Sequence, residues 1–198
     1  MIYQINKEII LASASPRRQQ IFNELGLQPI IFPVEIDESN HDNLLPEDYV
    51  IDLASKKAGA ASKEQTDKIV VGADTVVVAE NIILEKPLQR EDARKMLEML
   101  SGRSHKVITG VNIRYRSLNK IFTEETYVYF KRLSVEEINW YLDSGEPFDK
   151  AGSYGIQGLG RVLISKIEGC YFNVVGFPIH HFYIKLKELL EEILESEE

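Results

Sequence analysis

The stretch EIILASASPRRQQIFNELG, residues 8–26, passes from an apolar run into a helix across a corner of small residues, and its reading decides the fold. Ile9, Ile10 and Leu11 form a short unbroken apolar run, as a strand buried on both faces does. Ser15 is a good N-cap and Pro16 suits the first helical position, where its missing N–H is no loss. Ile21, Phe22 and Leu25 then recur on one helical face, and Gly26 supplies the left-handed residue that ends a helix. A strand, a tight corner and a helix in this order predict an α/β architecture. The corner also raises an electrostatic question. Arg17 and Arg18 sit in the first turn, where the helix dipole is already positive, so they repel both the dipole and each other. A phosphate bound there would resolve the conflict, with Ser13 and Ser15 as hydroxyl donors and the arginine forks gripping phosphoryl oxygens. The alternative is a solvated basic pair on a surface helix.

Working outward, "QPIIFPVEIDES" predicts a second strand and an acidic loop, and residues 46–63 place Tyr49, Val50, Leu53, Ala54, Lys57 and Ala58 at helical spacing. "KIVVGADTVVVAENIIL", residues 68–84, predicts a buried strand, a functional break at Gly72–Asp74, and a second strand turning near Glu80 and Asn81. Helices are predicted over "LQREDARKMLEMLSG" and near residues 135–144, with long strands at 105–115 and 121–131 between them. Gly152, Gly155, Gly158 and Gly160 predict a close-fitting loop; "RVLISKIEG" and "YFNVVGF" read as strands, and residues 180–198 as an amphipathic helix. With no repeat and no low-complexity linker, the expectation is one α/β domain over residues 1–198, in two lobes with a cleft between them.

Composition narrows the functions. The chain has 198 residues, 31 acidic against 23 basic, and a formal net charge of −8, so it repels polyanions overall and any anionic ligand needs a local cationic cluster. DNA and RNA are therefore not expected partners, nor is a membrane, since no apolar run approaches the roughly 20 residues of a span. Cys170 is the only cysteine, which rules out an internal disulfide and a thiolate zinc site and points to the cytoplasm.

Several side chains could carry chemistry. Asp74 follows a hydrophobic strand, where open α/β sheets bind ligands; it can ligate a metal or take a proton from water, or simply form a turn. Lys57 and Lys86 could complete a phosphate clamp or be solvated. Glu38, beside Asp37, offers a second carboxylate for a divalent ion. Gln157 presents both a donor and an acceptor, the complement that reads a pyrimidine edge, or it belongs to a structural loop. His180 and His181 diverge on a helix and His41 and His105 stand alone, so no histidine set emerges. Neither a nucleophile elbow, nor a Walker A loop, nor a dinucleotide-binding glycine motif is present.

The blocks "LASASPRR", "GADTVV", "LEKP", "MLSGRSHKVITGV", "SGEPFDKAGSYGIQGLG" and "VVGFP" run in this order over nearly the whole chain. In this the sequence resembles the Maf family of nucleotide pyrophosphatases. The resemblance implies an inosine-triphosphatase-like α/β fold with a long mixed sheet, helices on its faces and a two-lobed cleft. It further implies metal-dependent hydrolysis, with Mg²⁺ or Mn²⁺, of a nucleoside triphosphate to the monophosphate and pyrophosphate, in a homodimer. The family's base falls on Asp74, its phosphate-binding arginines on Arg17 and Arg18, and its lysines on Lys57 and Lys86; Ser13 as a further phosphate donor and Asp74 and Glu38 as metal ligands are expected from the residues themselves. Arg17, Thr75 and Gln157 match the branch that acts on dTTP and UTP. Cys170 and Phe177 depart from the commoner serine and leucine without touching this set. The rival expectation is a nucleotide-binding regulator of cell division that does not turn over.

Overall fold

The computed structural model describes residues 7–39 and 43–197; His41 and the first six residues lie outside it. The chain divides into two compact units, Met1–Asp74 with Thr109–Glu124 and Gly176–Glu198, and Thr75–Ile108 with Glu125–Val175. The strands β1 (Ile9–Leu11), β2 (Ile30–Ile31), β3 (Ile69–Ala79), β4 (Ile82–Leu84), β5 (Ser104–Tyr115), β6 (Leu118–Phe130) and β7 (Ile164–Glu168) form a seven-stranded sheet in the order β2-β1-β3-β5-β6-β7, with β4 on β3. It is mixed: β1 pairs parallel with β2 and β3, whereas β3–β4 and β6–β7 are antiparallel. The α/β expectation holds.

In the first unit β1 is buried throughout, as its unbroken apolar run requires. The helix α1 (Pro16–Glu24) starts as its sequence predicts: the Ser15 hydroxyl accepts from the Arg18 N–H, Pro16 sits in the first turn, and Gly26 follows the end at φ +74°. Its Phe22 packs against Phe177 and Phe182 at ring-centroid distances of 4.9 and 5.2 Å. The latter ring belongs to the last helix, α6 (Ile179–Glu197), whose Phe182, Leu186, Leu189 and Ile193 form its buried stripe. The helix α2 (Pro46–Ser62) lies close against two strands. A Cβ at Gly72 of β3 would stand 2.3 Å from the Ala54 carbonyl oxygen, and one at Gly110 of β5 2.5 Å from the Val50 carbonyl. The expected break at Gly72–Asp74 is therefore corrected. β3 runs unbroken from Ile69 to Ala79, and Gly72 is there because a helix backbone occupies the space of a side chain. The expected turn is present at Glu80 and Asn81, both at positive φ, which matches the right-handed twist of the hairpin.

The second unit is built on α3 (Arg90–Leu100) and α4 (Val135–Asp143), whose Leu97, Leu100, Ile138, Tyr141 and Leu142 bury against Val107, Val128, Phe130 and Tyr154. α4 opens with a capping box, the Ser134 hydroxyl accepting from the Glu137 N–H and the Glu137 carboxylate from the Ser134 N–H. Between residues 146 and 163 the backbone makes 3₁₀ turns, Glu146–Asp149, Ala151–Ser153 and Gly158–Leu163, which fits the expected close loop and delays β7 to Ile164. "YFNVVGF" is a second correction: Tyr171–Val175 form a short helix, α5. A short apolar run cannot distinguish the two forms, and long-range bonds decide here. The buried Asn173 amide donates to the Val107 carbonyl and to Thr126 Oγ1, both at 3.0 Å, and Cys170 N–H donates to that same Oγ1.

His105 is buried between the rings of Phe130 and Tyr154, its Nε2 2.7 Å from the Tyr154 hydroxyl. Burial pushes its pKa down to about 4. The unfolded chain binds the proton near pH 6.5 while the folded one resists it, so stability is full above that value and falls as pH drops from 6.5 towards 4. The expected loss is about 2 kcal/mol between pH 7 and pH 5. Urea unfolding at the two pH values checks it: His105→Phe should remove this increment, and an identical acid loss in the variant would refute the assignment.

Candidate active site

β1 ends at Leu11, paired with Val71, and the Ala12 N–H still donates to the Val71 carbonyl at 2.8 Å. Asp74 lies three residues further along β3, past the carboxyl end of β1, where open parallel sheets offer room for a ligand. The corner between β1 and α1 opens at the same end. Its Ser13 Oγ accepts from the Ser15 N–H at 3.2 Å and from the Arg18 guanidinium at 3.1 Å.

Arg18 is buried, and it ties the corner together. Its guanidinium donates to the Ala73 carbonyl at 2.8 Å, to Ser13, and through Nε to the Gly176 carbonyl at 2.9 Å. Burial works against its charge and lowers its pKa; Asp74 is the first group that supports the charge, Arg17 opposes it, and Glu38 supports it again. The two arginines thus differ. Arg17 is half-buried on the first turn, whereas Arg18 braces the residue that precedes Asp74.

Lys57, from α2, places Nζ 2.7 Å from Asp74 Oδ1 and 2.7 Å from Glu38 Oε1. The Lys57 and Asp74 side chains are only 11% and 15% exposed, against 58% for Glu38, so the lysine–aspartate contact is shielded while Glu38 closes it from the solvent side. The Tyr49 hydroxyl donates to the Glu38 carbonyl and fixes that loop to α2. Arg18 and Lys57 thus stand against two carboxylates, Asp74 and Glu38, with Arg17 near enough to oppose the Arg18 charge. This answers half of the electrostatic question posed by the corner: the second arginine turns inward onto carbonyls, and nearby carboxylates support its charge.

Ser13, Arg18, Lys57, Glu38 and Asp74 are therefore brought together. Thr75 follows Asp74 on β3 and is half-buried, whereas Lys86 and Gln157 are exposed residues of the second unit. His181 is 3.0 Å from Glu124, His180 is exposed and His105 is buried, so the described histidines form no set. No three of His, Cys, Asp and Glu form a metal cage among the described residues. The donor chemistry nonetheless fits a hard divalent cation, because Glu38 and Asp74 converge on one lysine ammonium, and magnesium commonly takes one or two carboxylates with substrate phosphate and water. Sequence reasoning missed the carbonyls of Ala73 and Gly176 as arginine acceptors, because no residue-type signal marks a carbonyl.

These features define an α/β protein with arginine, lysine and carboxylate side chains gathered beside the carboxyl end of a parallel strand pair, a class suited to phosphorylated ligands. The family model "Maf-like protein" matches residues 8–189, and the chain belongs to that family. It is 46% identical over 174 residues to the dTTP/UTP pyrophosphatase of Symbiobacterium thermophilum, covering 88% of this chain and 90% of the relative. It is 45% identical over 184 residues to the dTTP/UTP pyrophosphatase of Bacillus velezensis, covering 93% and 97%. A Geobacillus relative of the same name is 46% identical over 183 residues, covering 92% and 98%. No helix among the described residues is long and apolar enough to cross a membrane.

Proposed function

We propose that this chain hydrolyses dTTP and UTP to the nucleoside monophosphate and pyrophosphate. The observation that carries the reading is Lys57 bridging Asp74 and Glu38 at 2.7 Å beside the buried Arg18. Relatives named for this activity support it. Breaking the α–β anhydride needs the phosphoryl charge neutralised and a water held in line with the leaving pyrophosphate. Arg17 and Ser13 at the corner, Lys57 and Lys86 supply contacts to the phosphate chain, with the buried Arg18 adding its charge from behind. Asp74 takes the proton as water attacks the α-phosphorus and the bond to the bridging oxygen breaks. Arg17, Thr75 and Gln157 select the pyrimidine base. Asp74 and Glu38 are the residues that would hold Mg²⁺ or Mn²⁺, which neutralises phosphate oxygens when bound. The same reading takes the protein as a cytoplasmic homodimer, with the long β5 and β6 strands as a candidate contact surface.

Incubating the protein with dTTP, UTP, GTP and ATP in Mg²⁺ or Mn²⁺ tests this. Pyrophosphate and monophosphate are expected in equal amounts, fastest from the two pyrimidine nucleotides. Release of orthophosphate, or tight binding without turnover, would overturn it.

A further inference from the structure

The second unit contains a carboxylate to which the reading above gives no role. Glu146 Oε1 accepts from the Tyr141 hydroxyl at 2.9 Å and from the Gly160 N–H at 3.0 Å, and Oε2 accepts from the Leu159 N–H at 2.7 Å. The Tyr141 hydroxyl in turn accepts from the Gly155 N–H at 3.2 Å. Both ends of the segment from Gly155 to Gly160 therefore hang on one glutamate–tyrosine pair, and Gln157 lies between them. The pair is firmly placed. Tyr141 is fully buried in the core of this unit, and the Lys150 ammonium donates to the Glu146 carbonyl at 2.6 Å and to Asp149 at 2.5 Å.

The backbone is pressed against the pair. A Cβ at Gly158, which is at φ +70°, would stand 2.4 Å from Glu146 Oε2, and one at Gly160 2.6 Å from the Tyr141 hydroxyl. Burial pushes the Glu146 carboxyl up, yet the Leu159 and Gly160 N–H groups, Tyr141 and Lys150 bring it below the ordinary carboxylate range. A carboxylate accepting several such bonds is charge-assisted and shorter-reaching than a neutral pair, which suits it to fixing a loop.

We propose that Glu146 is a positioning residue for base selection: bound to the Leu159 and Gly160 N–H groups and to Tyr141, its carboxylate fixes the backbone that presents Gln157. The proposal rests on the reading of Gln157 as a base-selecting residue. Glu146 itself touches no substrate. In Glu146→Gln one oxygen becomes an NH₂ group that faces a backbone N–H or the tyrosine hydroxyl, so at least one bond to the loop is lost.

The test is the ratio of kcat/KM for UTP over ATP in Glu146→Gln, Tyr141→Phe, Gln157→Ala and the double variant Glu146→Gln/Gln157→Ala, each checked by urea unfolding. Glu146→Gln is expected to lower the ratio about tenfold, mostly through KM for UTP, with kcat little changed. Tyr141→Phe keeps the ring in the core and should shift the ratio in the same direction, so it serves if the glutamine variant does not fold. In the Gln157→Ala background the glutamate change should add nothing, because its effect passes through that side chain. A Gln157→Ala variant with an unaltered ratio overturns the base-reading assignment and the proposal with it. If Gln157→Ala shifts the ratio while Glu146→Gln and Tyr141→Phe leave it alone, or slow all nucleotides equally, only the Glu146 proposal fails.

Discussion

Asp74→Asn is expected to bind metal-free UTP with undiminished affinity and, in Mg²⁺, to release pyrophosphate about 10²–10⁴ times more slowly than the native protein. Asparagine keeps the shape of the side chain, and its amide oxygen can retain the 2.7 Å contact with Lys57. What changes is charge and basicity. Removing one of the two carboxylates beside Arg18 and Lys57 leaves the cluster more positive, so a metal-free triphosphate is held as well or better. An amide cannot accept the proton that the attacking water must give up, and that is the step that fails. Calorimetric titration with UTP in EDTA, where no metal ligand is at stake, gives the affinity, and single-turnover release of pyrophosphate in Mg²⁺ gives the rate. Native turnover in the variant would remove Asp74 from the base role. An equal fall in affinity and rate would make it a binding group instead.

How far the sequence foretold this arrangement depends on whether the deciding contacts are local. The corner at residues 8–26 was legible because a serine N-cap, a proline at the first helical position and a terminal glycine act on their near neighbours. The stripe of Phe182, Leu186, Leu189 and Ile193 was legible for the same reason. The two arginines were not separable. Their types are identical, and the buried one is told apart by carbonyls 55 and 158 residues distant along the chain. "YFNVVGF" carries strand composition, and the bonds that hold it as a helix come from Asn173 to residues of β5 and β6. Gly72 looked like an interruption because glycine weakens a strand on its own; the helix backbone that requires it belongs to another part of the sequence. The order of the six motif blocks, by contrast, pointed to the Maf family, to which the chain belongs.

Gly72→Ala should be far more destabilising than Gly26→Ala, and it should also disable the site. The new methyl carbon would stand 2.3 Å from the Ala54 carbonyl oxygen and 2.7 Å from the Ala58 nitrogen, distances at which backbone must move. Neither atom belongs to a flexible side chain, so α2 would have to back away from β3. That opens the small core of Ile10, Ala12, Ala58, Ala61 and Val70. A loss of about 3 kcal/mol, the upper part of the overpacking range, is expected from urea unfolding. Gly26→Ala is the comparison: its Cβ meets nothing within 4 Å, and it carries only the strain of φ +74°, about 1 kcal/mol. The functional consequence follows from the chain itself. Lys57 precedes Ala58 on α2, and Asp74 follows Gly72 by two residues, so the helix displacement that relieves the clash also lengthens the 2.7 Å contact between them. In the folded fraction, kcat/KM for UTP should fall about 10²-fold in Gly72→Ala and stay near native in Gly26→Ala. If the two variants prove equally stable and equally active, the close approach of α2 to β3 is not what holds the lysine against the aspartate.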